Sequence, residues 1–249
     1  MGKLSGKYAV VTGAGKGIGK AIAKRFLEDD AAGVALLDWD EALVSATALE
    51  LDPSGEKVLA IQCDVSSQES VSAAFAQIDV RFSRVDILVN NAGITRDAMF
   101  HKMTVQQAMQ VMDVHFYGTF YCCQAVIGGM RQRNYGKIVN ISSVSAFGNV
   151  GQANYAAAKC AIDGFTRTLA MENARKNITV NAIAPGMVNT DILKTIPADI
   201  LEQKIKNTPA QRLGDPSEIA AVAAFLACDD SSWVTGNCIL ACGGQKMRP

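Results

Sequence analysis

Short runs of apolar residues recur along the chain and alternate with segments in which apolar residues are spaced three or four apart. The runs are rich in β-branched residues, which is typical of strands buried on both faces of a sheet. They cover residues 7–12, 34–37, 58–62, 85–89, 138–141, 178–183 and 238–241. This alternation predicts an α/β fold with one doubly wound, seven-stranded parallel sheet and helices on both faces.

Helical periodicity follows the first run and is strongest in residues 104–131, 153–169 and 216–227. Residues 191–215 contain Pro197 and Pro209 and are expected to form short helices in a mobile segment. A long insertion after a strand is typical of a lid, so we expect a substrate lid at 187–215. With 249 residues in all, the chain is predicted to form a single domain, 1–249.

Composition narrows the range of partners. Lys plus Arg and Asp plus Glu balance at 24 each, so no net field attracts nucleic acid or an anionic membrane, and neither partner is expected. Apolar runs are too short for a membrane span, and the N-terminus lacks the apolar core of a secretory signal. Seven cysteines without a CxxC pair indicate free thiols in a reducing compartment. We therefore expect a cytoplasmic protein, and no metal site is predicted.

A glycine-rich turn joins the first strand to a helix. Its sequence, GAGKGIGK, places Gly13, Gly15, Gly17 and Gly19 between the two elements. Glycines at this point allow the backbone to approach a pyrophosphate, whose charge the amides of a helix N-terminus can stabilise. A glycine loop alone also serves as an ordinary turn, but its position between a strand and a helix favours dinucleotide binding.

Acidic and amide side chains follow the next strands. Asp38 lies about 20 residues beyond the glycine loop, where a carboxylate can bind both hydroxyls of an adenosine ribose and repel a 2′-phosphate. Asp38 therefore favours NAD over NADP, whereas Lys16 in the glycine loop weakly favours NADP. If Asp38 instead capped the next helix, the cofactor preference would stay open. Asp64 could meet the adenine edge or cap the next helix. Asn90–Gly93, with the sequence NNAG, could pass close to a cofactor or simply turn.

A tyrosine and a lysine follow a strand that ends in serines. Tyr155 and Lys159 are four residues apart in a predicted helix, so both side chains lie on one face. A nearby ammonium is expected to lower the pKa of the phenol and make it a general acid or base. A serine at the strand end could bind a carbonyl or alcohol oxygen beside the phenol. Because YxxxK also arises by chance, the interpretation depends on the other motifs.

Together these motifs resemble the short-chain dehydrogenase/reductase family over essentially the whole length. The resemblance rests on TGAGKGIG at 12–19, Asp38, NNAG at 90–93, the strand-end serine, Tyr155 with Lys159, and PGMVNT at 185–190. Within the family, NNAGITRD and GNVGQANYAAAK are most similar to 3-oxoacyl-(acyl-carrier-protein) reductases and 3-hydroxyacyl-CoA dehydrogenases. The resemblance implies a Rossmann fold and hydride transfer between a nicotinamide and a carbonyl or secondary alcohol.

The resemblance also implies the roles of individual residues. Tyr155 would transfer the hydroxyl proton, Lys159 would lower its pKa and bind the nicotinamide ribose, and the serine would hold the substrate oxygen. Thr190 would contact the nicotinamide amide or a phosphate. The complete set of expected cofactor-binding residues is Gly13, Gly15, Lys16, Gly17, Ile18, Gly19, Asp38, Trp39, Asp64, Val65, Asn91, Ala92, Gly93, Tyr155, Lys159, Pro185, Gly186, Val188 and Thr190.

Two positions depart from the family pattern. The usual spacing to the tyrosine indicates Ser142, whereas counting forward from NNAG indicates Ser143, which we favour. Adjacent strand residues point to opposite faces, so only one can serve unless the strand has already ended. His115 occupies the position of an asparagine that holds a water in the family's proton relay. A histidine could bind that water and titrate near neutrality, or it could be a structural helix residue.

Substrate and partners are less defined by the sequence. A 3-oxoacyl or 3-hydroxyacyl thioester is the first hypothesis, and a free ketone or alcohol such as a hydroxysteroid, a sugar or a small carbonyl is the second. A dinucleotide-binding regulator without turnover is a third. An acyl carrier protein could dock on Arg131, Arg133, Arg175 and Lys176, and the resemblance implies a homotetramer or homodimer. An apolar substrate pocket is predicted from Met99, Phe100, Phe147, Val150, Met187 and Ile192.

Overall fold

The computed structural model describes residues 2–191, 193 and 198–246. Seven parallel strands form one sheet in the order β3-β2-β1-β4-β5-β6-β7. Their bounds are β1 Tyr8–Thr12, β2 Gly33–Asp38, β3 Val58–Gln62, β4 Ile87–Asn90, β5 Gly136–Ile141, β6 Ile178–Pro185 and β7 Cys238–Ala241. The predicted α/β fold is confirmed, and the order reverses between β1 and β4, where ligands bind in open parallel sheets.

Helices cover both faces of this sheet. They are α1 Gly17–Glu28, α2 Glu41–Leu51, α3 Gln68–Phe82, α4 Val105–Met112, α5 Gly118–Arg133, α6 Ala153–Asn173, α7 Ala198–Lys206 and α8 Pro216–Ala227. One core contains Phe26 of α1 and Ile219 of α8, and the other contains Ile78 of α3 and Met130 of α5. Among the described residues, the helices include none that is both long and apolar enough to cross a bilayer.

The central strands are buried on both faces. In β1, the side chains of Ala9 and Val11 enter the core that contains α1 and α8, whereas Val10 enters the core that contains α3 and α5. This alternation explains why the strands read as continuous apolar runs rather than as alternating polar and apolar positions. All carboxyl ends of the strands meet at one edge of the sheet, and the functional loops lie there.

The helix predicted over 104–131 is not continuous. It is interrupted by a π-helical segment, Asp113–Tyr117, which separates α4 from α5 and contains His115. Such insertions concentrate at functional sites, since the wider turn re-aims the side chains around it. The hydrophobic pattern does not distinguish this segment from an ordinary helix, so the sequence did not predict it.

The predicted lid is only partly described. Ile192, residues 194–197 and therefore Pro197 lie outside the described residues. The remainder of 187–215 includes α7, which agrees with the expectation of a short helix there.

Candidate active site

The glycine loop packs against the chain after β4. Gly13 and Gly17 adopt positive φ angles of 62° and 58°. A Cβ atom on Gly13 would lie 2.8 Å from the Cα of Ala92, and one on Gly19 would overlap the carbonyl of Gly13. Three of the predicted glycines are therefore required by turn geometry or by close packing.

The amino terminus of α1 lacks a side-chain cap. Lys16 occupies its N-cap position without a capping hydrogen bond, whereas Asp40, Ser67 and Asp215 cap α2, α3 and α8. The amide groups of this first turn are thus available to an anionic ligand. The bare turn beside closely packed glycines fits the diphosphate of a dinucleotide cofactor.

Asp38 ends β2 and faces the glycine loop. Its Oδ2 accepts a hydrogen bond of 2.9 Å from the amide of Gly15, and the residue is 8% exposed. The capping alternative is wrong, because the N-cap of α2 is Asp40, which accepts a 3.0 Å bond from Leu43. Trp39, predicted beside the cofactor, is exposed.

Asp64 and Val65 lie at the end of β3. Asp64 is exposed and accepts hydrogen bonds from the amide and hydroxyl of Ser66 at 2.9 and 2.7 Å. It does not cap α3, since Ser67 does. Val65 is buried in the core with α3 and α5, next to Gly118.

Thr12 ties the NNAG segment to β1. Its hydroxyl accepts bonds of 3.0 Å from the amides of Asn91 and Ala92. In return, the Asn91 side chain donates to the carbonyls of Thr12 and Gly13 at 2.9 and 3.0 Å. These bonds fix the switch-point edge of the sheet. Thr12 was not among the predicted site residues, although it begins the TGAG motif.

The two adjacent serines after β5 have different surroundings. Ser142 still pairs with β6 through a 2.7 Å bond from its amide to Ile183, and its hydroxyl is buried without a partner among the described residues. The Ser143 hydroxyl accepts a 3.0 Å bond from the amide of Ser145 and lies close enough to the Tyr155 phenol to act on its pKa. The structure therefore brings Ser143, and not Ser142, to the phenol.

Lys159 lies one helical turn from Tyr155 and is 3% exposed. Its Nζ donates a 2.6 Å hydrogen bond to the carbonyl of Ile141, the last residue of β5, and lies 5.4 Å from the centre of the Tyr155 ring. Burial lowers the pKa of the lysine to about 7, and Asp163 on the next turn of α6 opposes this shift. The hydrogen bond from the Lys159 side chain therefore links α6 to the end of β5.

Burial also has the largest effect on the pKa of Tyr155. It raises the pKa of Tyr155 to about 12, although the neighbouring Ser143 hydroxyl acts in the opposite direction. The cost of burying a phenolate therefore outweighs the lowering of this pKa that was expected from Lys159. Tyr155 is a neutral phenol near pH 7, which suits a proton donor.

His115 contacts backbone instead of solvent. Its Nε2 lies 2.8 Å from the carbonyl oxygen and 3.1 Å from the amide nitrogen of Ile94, and its ring meets the Tyr155 ring edge-on at 5.1 Å. Burial, with a smaller contribution from Lys159, holds the pKa of His115 well below its usual value. The expectation of a histidine that titrates near neutrality is therefore wrong.

A cleft of about 360 Å³ joins these groups. Tyr155, Ser143, Lys159 and His115 line it. The cofactor candidates that line the same cleft are Ile18, Asn91, Gly93, Pro185, Gly186, Val188 and Thr190. The methyl group of Thr190 would lie 3.4 Å from a Cβ on Gly17, so the segment after β6 reaches the glycine loop.

Lys16 also faces this segment. Its Nζ lies 3.6 Å from the Asp191 carboxylate, and both side chains are about half exposed. The pair places an acidic group beside the one glycine-loop residue that favours NADP.

The substrate part of the cleft is more polar than predicted. Of the apolar residues proposed for it, Met187 lines the cleft, whereas Met99, Phe100, Phe147 and Val150 are exposed and Ile192 lies outside the described residues. The sequence did not identify several polar residues that line it: Thr95, Asp97, Ser145, Asn149, Gln152, Lys204, Gln245 and Lys246. They come from four separate segments, and no local pattern relates them.

The proposed docking residues do not flank this cleft within one chain. Arg131 and Arg133 end α5, and Arg133 donates to the carbonyl of Val85 just before β4 at 2.6 Å. Arg175 and Lys176 lie just before β6. The helices run back from the cleft, so all four residues lie at the opposite edge of the sheet.

Comparisons with known proteins agree with this arrangement. Residues 13–246 match the family model described as enoyl-(acyl carrier protein) reductase. The chain is 42% identical to an acetoacetyl-CoA reductase of Shinella zoogloeoides, covering 96% of this chain and 98% of that protein. It is 40% identical to a 3-oxoacyl-[acyl-carrier-protein] reductase of Vibrio cholerae, covering 98% and 99%.

A solved structure is similar as well. It is a protein of Agrobacterium tumefaciens provisionally described as a gluconate dehydrogenase, with a TM-score of 0.93 and 33% identity over 98% of this chain and 97% of that chain. The fold, the ordered motifs and these relatives lead to one conclusion. The chain belongs to the short-chain dehydrogenase/reductase family of nicotinamide-dependent oxidoreductases.

Proposed function

We propose that the protein interconverts a 3-oxoacyl thioester and the corresponding 3-hydroxyacyl thioester with NAD(H). The observation that carries this proposal is the single cleft that Ser143, Tyr155, Lys159 and the cofactor candidates line together. Both curated relatives reported above are named for reduction of a 3-oxoacyl thioester, which supports this substrate class.

A nicotinamide cofactor held by the residues that line this cleft would supply or accept the hydride. Ser143 donates a hydrogen bond to the substrate carbonyl oxygen and orients it toward the phenol. Tyr155, neutral near pH 7, donates its proton to that oxygen as the alcohol forms. Lys159 holds the end of β5, and with it Ser143, in position through the Ile141 carbonyl. In the reverse direction Tyr155 takes the hydroxyl proton.

NAD is the proposed cofactor, with NADP as the less favoured alternative. The Asp38 carboxylate lies at the glycine loop, where its negative charge would repel a 2′-phosphate. Asp191 lies near Lys16 and competes with a phosphate for its charge. Both observations favour the cofactor without the additional phosphate.

A matched pair of variants tests this preference. Asp38→Ser is expected to raise kcat/KM with NADPH relative to NADH about tenfold or more, because the repelling carboxylate is removed. Asp40→Ser changes the same charge two residues away at the cap of α2 and should leave the ratio unchanged. An unchanged ratio in Asp38→Ser would contradict the assignment.

A second candidate is the same chemistry on a free hydroxylated ketone or sugar acid. The polar lining of the cleft and the likeness to the described gluconate dehydrogenase favour it. A dinucleotide-binding regulator without turnover is the third possibility, and it is the least supported because Ser143, Tyr155 and Lys159 are all in place.

Assembly as a homotetramer or homodimer is also proposed. Exposed apolar side chains occur on α4, the following π-helical segment, α5 and α6, including Val105, Met109, Tyr117, Phe120 and Met171. Pairing of these helices between copies would bury them. Light scattering would give the mass, and a monomer at micromolar concentration would contradict the proposal.

Initial rates of acetoacetyl-CoA reduction with NADH and with NADPH test the main proposal. Turnover with an NADH preference is expected. If acetoacetyl-CoA were not reduced with either cofactor but a sugar acid or a small ketone were turned over, the result would favour the second candidate function.

A further inference from the structure

Hydrogen-bonded polar side chains line one part of the substrate cleft. Asn149 donates to Gln152 at 2.8 Å, and Gln152 donates to the Asp97 carboxylate at 2.9 Å. These three residues and Ser145 line the same cleft as Tyr155. The side-chain amides of Asn149 and Gln152 are oriented by these hydrogen bonds. They suit a ligand that carries its own amide groups, since an amide side chain can both donate to and accept from such a group.

Two lysines from other elements line the same cleft. Lys204 belongs to α7, and its carbonyl accepts a 3.0 Å bond from the buried Thr208 hydroxyl. Lys246 follows β7, and its amide and carbonyl both bond the Cys242 thiol, at 3.5 and 3.4 Å. These contacts hold the backbone of both residues, and within the described part of the chain neither ammonium forms an ion pair.

A neighbouring lysine differs. Lys206, two positions further along α7, pairs with Glu202 at 2.8 Å and does not line the cleft. Besides the buried Lys159, the described lysines that line the cleft are Lys204 and Lys246, while Asp97 supplies a negative charge that Gln152 already engages.

We propose that Lys204 and Lys246 bind the phosphate of the phosphopantetheine arm that carries the acyl group, and that the side-chain amides of Asn149 and Gln152 form hydrogen bonds with the amides of that arm. The inference rests on the proposed thioester activity. A phosphopantetheine arm contains two amides and ends in a phosphate, so it carries the groups that the amide side chains and the two lysines lining the cleft can bind. Coenzyme A and an acyl carrier protein share this arm.

The test compares two substrates with the same reacting atoms. Acetoacetyl-CoA carries the phosphates, whereas acetoacetyl-N-acetylcysteamine carries an amide but no phosphate. The variants are Lys204→Ala with Lys246→Ala, the same positions changed to Arg, and Lys206→Ala as the matched control on α7. KM and kcat are measured for each substrate and for NADH, at 20 mM and at 500 mM salt, between which the Debye length falls from about 20 Å to about 4 Å.

We expect the double alanine variant to raise KM for acetoacetyl-CoA about five- to tenfold at low salt, as suits two exposed ion pairs. KM for acetoacetyl-N-acetylcysteamine and for NADH should remain within twofold, and high salt should remove the difference from wild type. The arginine variant and Lys206→Ala should behave as wild type. Acetoacetyl-carrier protein should respond as acetoacetyl-CoA does if the arm's own phosphate, and not the nucleotide of coenzyme A, is bound.

Other results would overturn the assignment in distinguishable ways. An unchanged KM for acetoacetyl-CoA in the double variant, with both substrates turned over, would remove the lysine site and leave the proposed function intact. A parallel rise in KM for NADH would place the lysines at the cofactor. If wild type turned over neither thioester, the proposed function would fail, and the phosphate site with it.

Discussion

Two tyrosine–lysine pairs lie at opposite edges of the sheet. Tyr155 and Lys159 lie at the carboxyl edge, and Tyr135 and Lys137 lie at the amino edge, around the start of β5. Both lysines are buried, with 3% and 2% exposure. Burial lowers the pKa of each lysine and raises that of each tyrosine.

The partners of the two pairs differ. Tyr135 donates a 2.9 Å hydrogen bond to the Asp229 carboxylate, which also lies 4.0 Å from the Lys137 ammonium. Tyr155 instead has a second hydroxyl, that of Ser143, as its polar neighbour, and both residues line the cleft. A carboxylate fixes the first pair as a structural contact, whereas a hydroxyl partner leaves the second free to bind a substrate oxygen. Burial alone does not distinguish the two.

The largest expected difference concerns the tyrosines. Tyr155→Phe should lower kcat about a thousandfold or more while cofactor affinity is retained, because the transferred proton is lost. Tyr135→Phe should retain activity and lower the free energy of unfolding by about 1 kcal/mol, since one hydrogen bond is removed. Steady-state rates and urea unfolding check both. Full activity in Tyr155→Phe would contradict the assignment of Tyr155 as the proton donor.

The lysines should differ less. Lys159→Met is expected to lower kcat about a hundredfold, because the Ile141 carbonyl loses its donor and Ser143 shifts with the strand end. Lys137→Met should leave kcat unchanged and alter stability by less than about 1 kcal/mol, since Asp229 is exposed and can be hydrated. Equal losses of activity in both variants would show that the lysine acts through stability only.

The pH dependence of stability sharpens the contrast further. The pKa of Lys159 is about 7 in the folded protein, against 10.5 for an unperturbed lysine. Between these values the unfolded chain binds a proton that the folded protein does not, so this group's contribution to stability increases with pH and is lost as pH falls toward 7.

Relative to Lys159→Met, the free energy of unfolding of wild type should therefore rise by about 2 kcal/mol from pH 7 to pH 9. Urea unfolding at the two pH values measures it. Lys137→Met is the comparison variant, because burial lowers the pKa of Lys137 as well but less strongly, so a smaller rise in the same direction is expected there. A flat difference between wild type and Lys159→Met would contradict the buried position of the ammonium.

The smallest effect is expected at His115, which packs edge-on against Tyr155. His115→Asn should keep kcat within about fivefold, because an amide can accept from the Ile94 amide and donate to its carbonyl. Its acidic pH limb should coincide with that of wild type, since the histidine is already neutral. A pH–rate profile from 5 to 9 is the measurement, and a limb near 6.5 that disappears in the variant would restore a titrating role.

The sequence predicts the features that depend on local spacing. The alternating runs predict the sheet, the glycines predict the strand–loop–helix unit, and the four-residue spacing predicts that Tyr155 and Lys159 share a face. The polar lining was not predicted, because Asp97, Gln152, Lys204 and Lys246 lie on separate segments that only the tertiary fold assembles. The raised pKa of Tyr155 was not predicted for a related reason, since the burial that raises it depends on the surrounding fold.

Gly93 and His115 constrain which substitutions can occur at each other's position during evolution. A Cβ atom on residue 93 would overlap the imidazole ring, so no larger residue fits there while the histidine keeps its place. A lineage that carries this histidine can change the glycine only after, or together with, a change at position 115. The two positions should therefore be inherited as a unit in the descendants of this chain.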